Sequence, residues 1–191
     1  MSKNNLVLVA ELFGTFLLTG AVLMGVSPFI ALGIIVLLIG GISGAHVNPA
    51  VSAGMVQYKK INISTMGKYW LAQVAGALLA KLAYEYFKND RFNLAINFVS
   101  FDFTLFIAEI LGTAIFLAGI TLAVQQKLEG LLLAVAVGGS LFLGAMFGGV
   151  LNPAVALGQT TTSFASIIGP IIGGILGVYL GLYLYPKATK K

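Results

Sequence analysis

Long apolar stretches separated by short polar ones dominate this chain. The first, Leu6 to Met24, is interrupted only by Glu11, Thr15 and Thr19, and the second, Pro28 to Ile42, carries no polar side chain. That second stretch is short for a crossing and has to borrow Ser43, Gly44 or their neighbours. A third runs from Met66 to about Tyr86, with Gln73 in its first half and Lys81 and Glu85, four residues apart, at its end. A fourth, Phe103 to Val124, encloses Glu109; a fifth covers Leu131 to about Gly148 and a sixth about Phe164 to Tyr185. A helix needs about 20 mainly apolar residues to cross a bilayer, so the pattern predicts six transmembrane helices. Glu11 interrupts the first apolar core and no Ala-x-Ala site follows it, so that stretch reads as an uncleaved span rather than a secretory signal.

Two shorter apolar pieces remain, Asn48 to about Gln57 and Asn152 to about Thr160, and both begin Asn-Pro-Ala. Asn is a preferred helix cap and proline is pre-organised for the first helical position. Each piece therefore predicts a half-helix starting at its Asn. The halves of the chain also resemble each other: Val9-Ala10-Glu11-Leu12-Phe13-Gly14-Thr15 matches Ile107-Ala108-Glu109-Ile110-Leu111-Gly112-Thr113, and Val47-Asn48-Pro49-Ala50-Val51 matches Leu151-Asn152-Pro153-Ala154-Val155. Glu11 precedes Asn48 by 37 residues (48 − 11) and Glu109 precedes Asn152 by 43 (152 − 109). Three spans per half is an odd number, which turns the two copies upside down relative to each other. The expectation is an all-α membrane protein: one domain over residues 1–191, with repeat one at about 1–90 and repeat two at about 98–187. Inverted repeats with broken helices build mid-membrane permeation or binding sites.

Composition sharpens this picture. Of 191 residues, 59% are hydrophobic and only 9% charged, with a mean hydropathy of +0.99; a soluble domain averages about 25% charged residues. That excludes a soluble enzyme, a nucleic-acid reader or a sizeable extramembrane domain. No cysteine and a single histidine leave no disulfide framework, thiolate nucleophile or metal-ligand cluster. The net charge of +5 comes from scattered lysines, which serve as topology markers. With both termini cytoplasmic, the inner side holds Lys3, Lys59, Lys60, Lys68, Lys127, Lys187, Lys190 and Lys191, and the outer side only Lys81, Lys88 and Arg91.

Two half-helices meeting head to head place their unpaired N–H groups near the bilayer centre, where the positive potential repels cations and protons. Asn48 and Asn152, at the caps, can each offer a side-chain N–H to a passing oxygen while their carbonyl oxygens are held locally. A water there has its lone pairs occupied, which breaks proton hopping. Non-helical backbone at membrane depth survives only where it lines a cavity or is buried in protein. These features point to a narrow polar pore for neutral molecules.

On these motifs the sequence resembles the aquaporin or major intrinsic protein family. The likeness covers nearly the whole chain, from Ala10-Glu11-Leu12-Phe13-Gly14-Thr15 through Ser43-Gly44-Ala45-His46-Val47-Asn48-Pro49-Ala50-Val51, Tyr69-Trp70-Leu71-Ala72-Gln73 and Leu151-Asn152-Pro153-Ala154 to Gly169-Pro170-Ile171-Ile172-Gly173. It implies six tilted helices around a channel, one pore per subunit and four subunits per assembly. It also implies a second, outer constriction of four positions, one of them an arginine directly after the second Asn-Pro-Ala. Here that position is Val155; counting back from Asn152, two others fall on Gly149 and Ser140, and the fourth falls on Pro28 or Phe29. A filter of Val155, Gly149, Ser140 and Phe29 is wider and more apolar than a strict water filter. Loss of the arginine relaxes size selection and charge exclusion, so the resemblance implies a broad, aquaglyceroporin-like neutral-solute channel, passing water and glycerol-sized molecules.

Glu11 and Glu109 lie inside apolar spans, where a carboxyl is a functional or structural marker. A proton relay is one reading; the resemblance implies instead that each accepts backbone N–H groups from the half-helix loop of its own repeat. His46 either holds that loop or faces the pore and responds to pH, and Gln73 reads as a buried amide bonding backbone groups. Gly169, Gly173, Gly177 and Gly181, four apart, form a packing stripe within the subunit or toward a neighbour, and Tyr179, Tyr183 and Tyr185 read as interface aromatics. The expected function is a passive, cofactor-free channel in the plasma (inner) membrane, with water, small neutral solutes and lipid as its partners and no enzymatic activity. A secondary transporter on inverted repeats is the alternative, although only Glu11 and Glu109 are available for an ion site; a non-conducting scaffold is a third.

Overall fold

The computed structural model describes residues 3–89 and 91–185; the counted lysines Lys187, Lys190 and Lys191, and the end of repeat two, lie outside them. The first repeat contains α1 (Lys3–Leu23), α2 (Pro28–Ser43), α3 (Pro49–Gln57) and α4 (Ile63–Asn89). The second contains α5 (Phe103–Gln125), α6 (Gly130–Ala145), α7 (Pro153–Gly158) and α8 (Ala165–Leu184). Helices stand at all six stretches expected to span and at both half-helix positions. α1, α5 and α8 are long and apolar enough to cross a membrane by themselves. α2 and α6 have 16 residues each, about 24 Å at 1.5 Å per residue against a hydrocarbon core of about 30 Å. α2 does take in Ser43, as its shortness required, and its end is closed by Gly44 in the left-handed region, φ 88°.

The repeats pack as a twofold exchange. α1 lies on α4 and α2 as α5 lies on α8 and α6, and each half-helix rests on the last helix of the opposite repeat, α3 on α8 and α7 on α4. α2 against α6 and α3 against α7 are the contacts that join equivalent elements. The glycine stripe of α8 belongs to this internal packing: a Cβ at Gly169, Gly173, Gly177 or Gly181 would run into the backbone carbonyls of Phe106, Ile110, Ala114 or Ala118 of α5. The seam is thus a backbone-to-backbone approach inside one subunit. Tyr179, Tyr183 and Tyr185 are exposed, as expected of interface aromatics.

Three features depart from the sequence reading. The second half-helix stops at Gly158, two residues short of the expected Thr160, because the chain turns outward into a strand. That strand, β2 (Thr161–Thr162), pairs in parallel with β1 (Asn97–Phe98) from the α4–α5 connection. Lys81, counted as an outer-side topology marker, is not a surface charge. Lys81 is fully buried and donates to the carbonyls of Ala95 (2.5 Å) and Gln159 (3.2 Å), while Glu85 bridges to Arg91 at 3.1 Å.

Gly177→Leu is expected to destabilise the protein by about 1–3 kcal/mol or more, since overpacking cannot be relieved against a main-chain carbonyl. Gly41→Ala, at a site with open space around it, should be neutral. Thermal unfolding in detergent, comparing both with the parent, checks this.

Candidate functional site

Each repeat builds its half of the site in the same way. In α1, Glu11 is fully buried and its Oε1 accepts the Ser43 hydroxyl (2.6 Å) and the His46 N–H (3.0 Å); its Oε2 accepts the Val47 N–H (2.7 Å) and the Gln73 amide (2.8 Å). In α5, Glu109 takes the N–H groups of Val150 at 2.9 Å and Leu151 at 2.8 Å, with Ser166 of α8 as a further partner. Both carboxyls therefore hold the loop ahead of the half-helix in their own repeat.

Those loops need holding. Gly44, Ala45 and Val47 have φ of 88°, 48° and 42°, and the equivalent Gly148, Gly149 and Leu151 have 81°, 103° and 56°. Left-handed backbone is strained for residues with a side chain, most of all a β-branched one. The bent loops turn the carbonyls of Val47 and Leu151 toward the opposite repeat. Asn48 donates its Nδ2–H to the Leu151 carbonyl (2.9 Å), and Asn152 donates to the Val47 carbonyl (2.9 Å). Asn48 Oδ1 meanwhile caps α3 by accepting from Ala50 (2.8 Å), and Asn152 Oδ1 caps α7 by accepting from Ala154 (3.1 Å) and Val155 (3.3 Å). The two tips are locked head to head. An amide NH2 has two donors, so one N–H of each Asn is left for a passing oxygen.

A cavity of about 250 Å³ opens beside the tips, lined by Leu18, Phe29, Asn48, Leu141, Asn152 and Val155 among others. A second, also about 250 Å³, is lined by Val36, Val51, Met55, Lys60, Ile120 and Val137. They share Leu32, His46 and Phe116. Along α2 the lining passes from Phe29 to Leu32 to Val36, and along α5 from Phe116 to Ile120. The cavities therefore follow one another along the helix axes, with Leu32, His46 and Phe116 at the neck between them.

Of the sequence-derived residues, Asn48, Asn152, Val155, Gly149, Phe29 and its neighbour Pro28 all border the first cavity. Pro49, Ala50, Pro153 and Ala154 are buried at the two helix starts. Ser140 is not among the residues that border this cavity. Its hydroxyl donates to the Ala136 carbonyl at 2.6 Å and lies against Gly119 of α5, while Leu141 lines the cavity in its place. Counting back from Asn152 crosses the loop between α6 and α7, and a one-residue error there rotates a helical side chain by about 100°. His46 Nδ1 pairs with Ser52 Oγ at 3.1 Å, and the residue borders both cavities. Gln73 bonds side chains, Glu11 and Ser52 (3.1 Å), rather than backbone. Sequence reasoning missed Val47 and Leu151, whose carbonyls carry the cross-links; the one available signal was an apolar residue directly before each Asn. It also missed Trp70, whose indole N–H donates to the Pro49 carbonyl at 3.0 Å.

The sequence profile described as major intrinsic protein matches residues 19–181. The chain belongs to that family. Aquaporin-8 of Mus musculus is 31% identical over 154 residues, covering 73% of this chain and 59% of the relative. The glycerol uptake facilitator protein-like 6 of Lactiplantibacillus plantarum is 34% identical over 91 residues, 41% of this chain and 42% of that one. The match with the mouse relative thus spans about three fifths of that relative's length. The solved aquaglyceroporin of Plasmodium falciparum shares the fold, with a TM-score of 0.68 at 22% identity over 97% of this chain and 96% of that one. As a major intrinsic protein the chain is a multi-pass integral membrane protein, in a family of channels rather than enzymes.

Glu11→Gln and Glu109→Gln each put an NH2 where backbone donors need an acceptor, leaving buried N–H groups unpaired at about 1–3 kcal/mol. Both are expected to lower the unfolding temperature in detergent, whereas Glu129→Gln at an exposed position should not. Equal melting curves for all three would remove the carboxyls from the loop-holding role.

Proposed function

We propose that this major intrinsic protein is a passive channel for water and small uncharged solutes such as glycerol. The observation that carries the reading is the reciprocal pair Asn48–Leu151 and Asn152–Val47, which brings both Asn amides to the wall of one cavity that continues into a second. A neutral molecule moving through exchanges its hydration for the free amide N–H groups, while the N–H-rich half-helix tips oppose cations and protons. Val155, Gly149 and Phe29 form the constriction at the far end of the first cavity, with Leu141 in the place assigned to Ser140. Glu11, Glu109, His46 and Gln73 are loop supports. The channel is a cofactor-free single domain that assembles as a homotetramer in the plasma (inner) membrane, with its termini in the cytoplasm. That orientation is supported by its lysine distribution, and of the outer cations Lys81 is buried and Arg91 is paired with Glu85.

Stopped-flow light scattering on proteoliposomes is the test. Water and glycerol permeabilities well above those of empty vesicles, with no proton leak and no uptake against a gradient, are expected; gradient-driven accumulation would instead establish a coupled transporter. Val155→Arg should reduce glycerol passage by about tenfold and water passage less, as a guanidinium narrows the throat and adds a donor-only charge. An unchanged flux ratio removes Val155 from the constriction. Because the chain has no cysteine, mercurials are expected to leave both fluxes intact.

A further inference from the structure

With Val155 where the family carries its arginine, no charged side chain among the described residues borders the first cavity. Its polar side chains are those of His46, Asn48, Asn152 and Gln159. The first three are engaged, His46 with Ser52 and each Asn with the opposite loop. The Gln159 side-chain amide has no hydrogen-bond partner among the described residues. It is the extended residue just past the end of α7, four residues after Val155, and both residues border the cavity.

Its backbone, by contrast, is fixed on every side. The Gln159 N–H donates to the Ala156 carbonyl at 3.3 Å, and its own carbonyl accepts from the Lys81 ammonium at 3.2 Å. The next carbonyl, of Thr160, accepts from Asn97 at 2.8 Å as the β1–β2 pair begins. An ammonium buried in a membrane helix is expensive. Here it clamps the end of the half-helix to the Ala95 carbonyl of the α4–α5 connection. Gln159 thus borders the cavity on an anchored backbone, with its side-chain amide uncommitted to any described residue.

We propose that Gln159 is a specificity-determining residue of this cavity, an uncharged amide that hydrogen-bonds hydroxylated solutes in place of the family's arginine, with Lys81 as its positioning residue. The proposal rests on the channel reading above. A guanidinium only donates, whereas an amide donates and accepts. A hydroxyl does both, so the amide matches the two capacities of each polyol hydroxyl and adds no charge.

The test uses the full chain in proteoliposomes and reads the ratio of glycerol to water permeability. Gln159→Leu, of similar bulk, should lower that ratio about fivefold, the equivalent of one hydrogen bond of about 1 kcal/mol, and Gln159→Asn should retain most of it. Lys81→Met should lower the ratio in the same direction, with Lys81→Arg restoring it; a change in total flux alone would mark Lys81 as structural and overturn its positioning role. Where Lys81→Met does not fold, the Gln159 pair decides. A parent that passes both solutes and a Gln159→Leu variant with the parental ratio overturn the inference and leave the channel reading standing. A parent no more permeable than empty vesicles overturns both.

Discussion

Val47 and Leu151 occupy left-handed backbone, φ 42° and 56°, directly before the two half-helices, a conformation that costs a residue with a side chain about 1–3 kcal/mol. Each is held by its N–H on a buried glutamate and by its carbonyl under the asparagine of the other repeat. The chain of contacts runs Glu11, Val47, Asn152 on one side and Glu109, Leu151, Asn48 on the other. Without the carboxyls the loops would relax toward extended backbone, and the carbonyls would swing away from the opposing amides. The strained loop, the head-to-head tips and the amide-lined wall are therefore one device. Its members are also each other's hydrogen-bond partners, so it leaves few polar groups unpaired at a depth where no bulk water can satisfy them.

The helices around this device do little chemistry but set its dimensions. Glycines let α8 seat against α5 and α4 against α1 at backbone distance; a Cβ at Gly76 would strike Leu12, as one at Gly177 would strike Ala114. Close seams at the periphery leave the space between α2, α5, α6 and the half-helices for the two cavities. The walls there are almost wholly apolar, which keeps the few polar groups decisive. In the first cavity these are His46, the two asparagines and Gln159.

The repeats are not equivalent in their support. The first loop is braced by α4 through Gln73, Tyr69 and Trp70, the tyrosine hydroxyl donating to the Ser43 carbonyl at 2.8 Å. The second has Gly149 in the place of Ala45, close against the Glu109 carboxyl, and is braced beyond its half-helix by Lys81 and the two-residue strand pair. Beyond the glutamate clamp that both halves share, the first is braced ahead of and at its Asn-Pro-Ala and the second after it. That asymmetry places the adjustable surface, Val155 on the second half-helix and Gln159 just past its end, next to the longest connection.

Six spans, two half-helices and the duplication were all legible in the sequence, because apolar length, Asn-Pro starts and the paired Glu-x-x-Gly-Thr motifs are local signals with local causes. So was the role of Asn48 and Asn152 as caps, since an Asn before proline has only its own next residues to bond. What each Asn does with its NH2 was not legible. Its partner lies 103 or 105 residues away, and only the folded backbone can bring a strained carbonyl there. The same holds for Ser140, placed by a count across a loop of unknown geometry and then turned away by the rotation of α6. It holds for Lys81 too, whose charge read as a surface marker until its two carbonyl partners, from separate segments, closed around it. The glycine stripe announced a close approach but not its partner, because a missing side chain shows only that something fits there. Sequence set the elements and their chemistry; tertiary structure decided which donor meets which acceptor, since those meetings depend on distances between segments that no local pattern encodes.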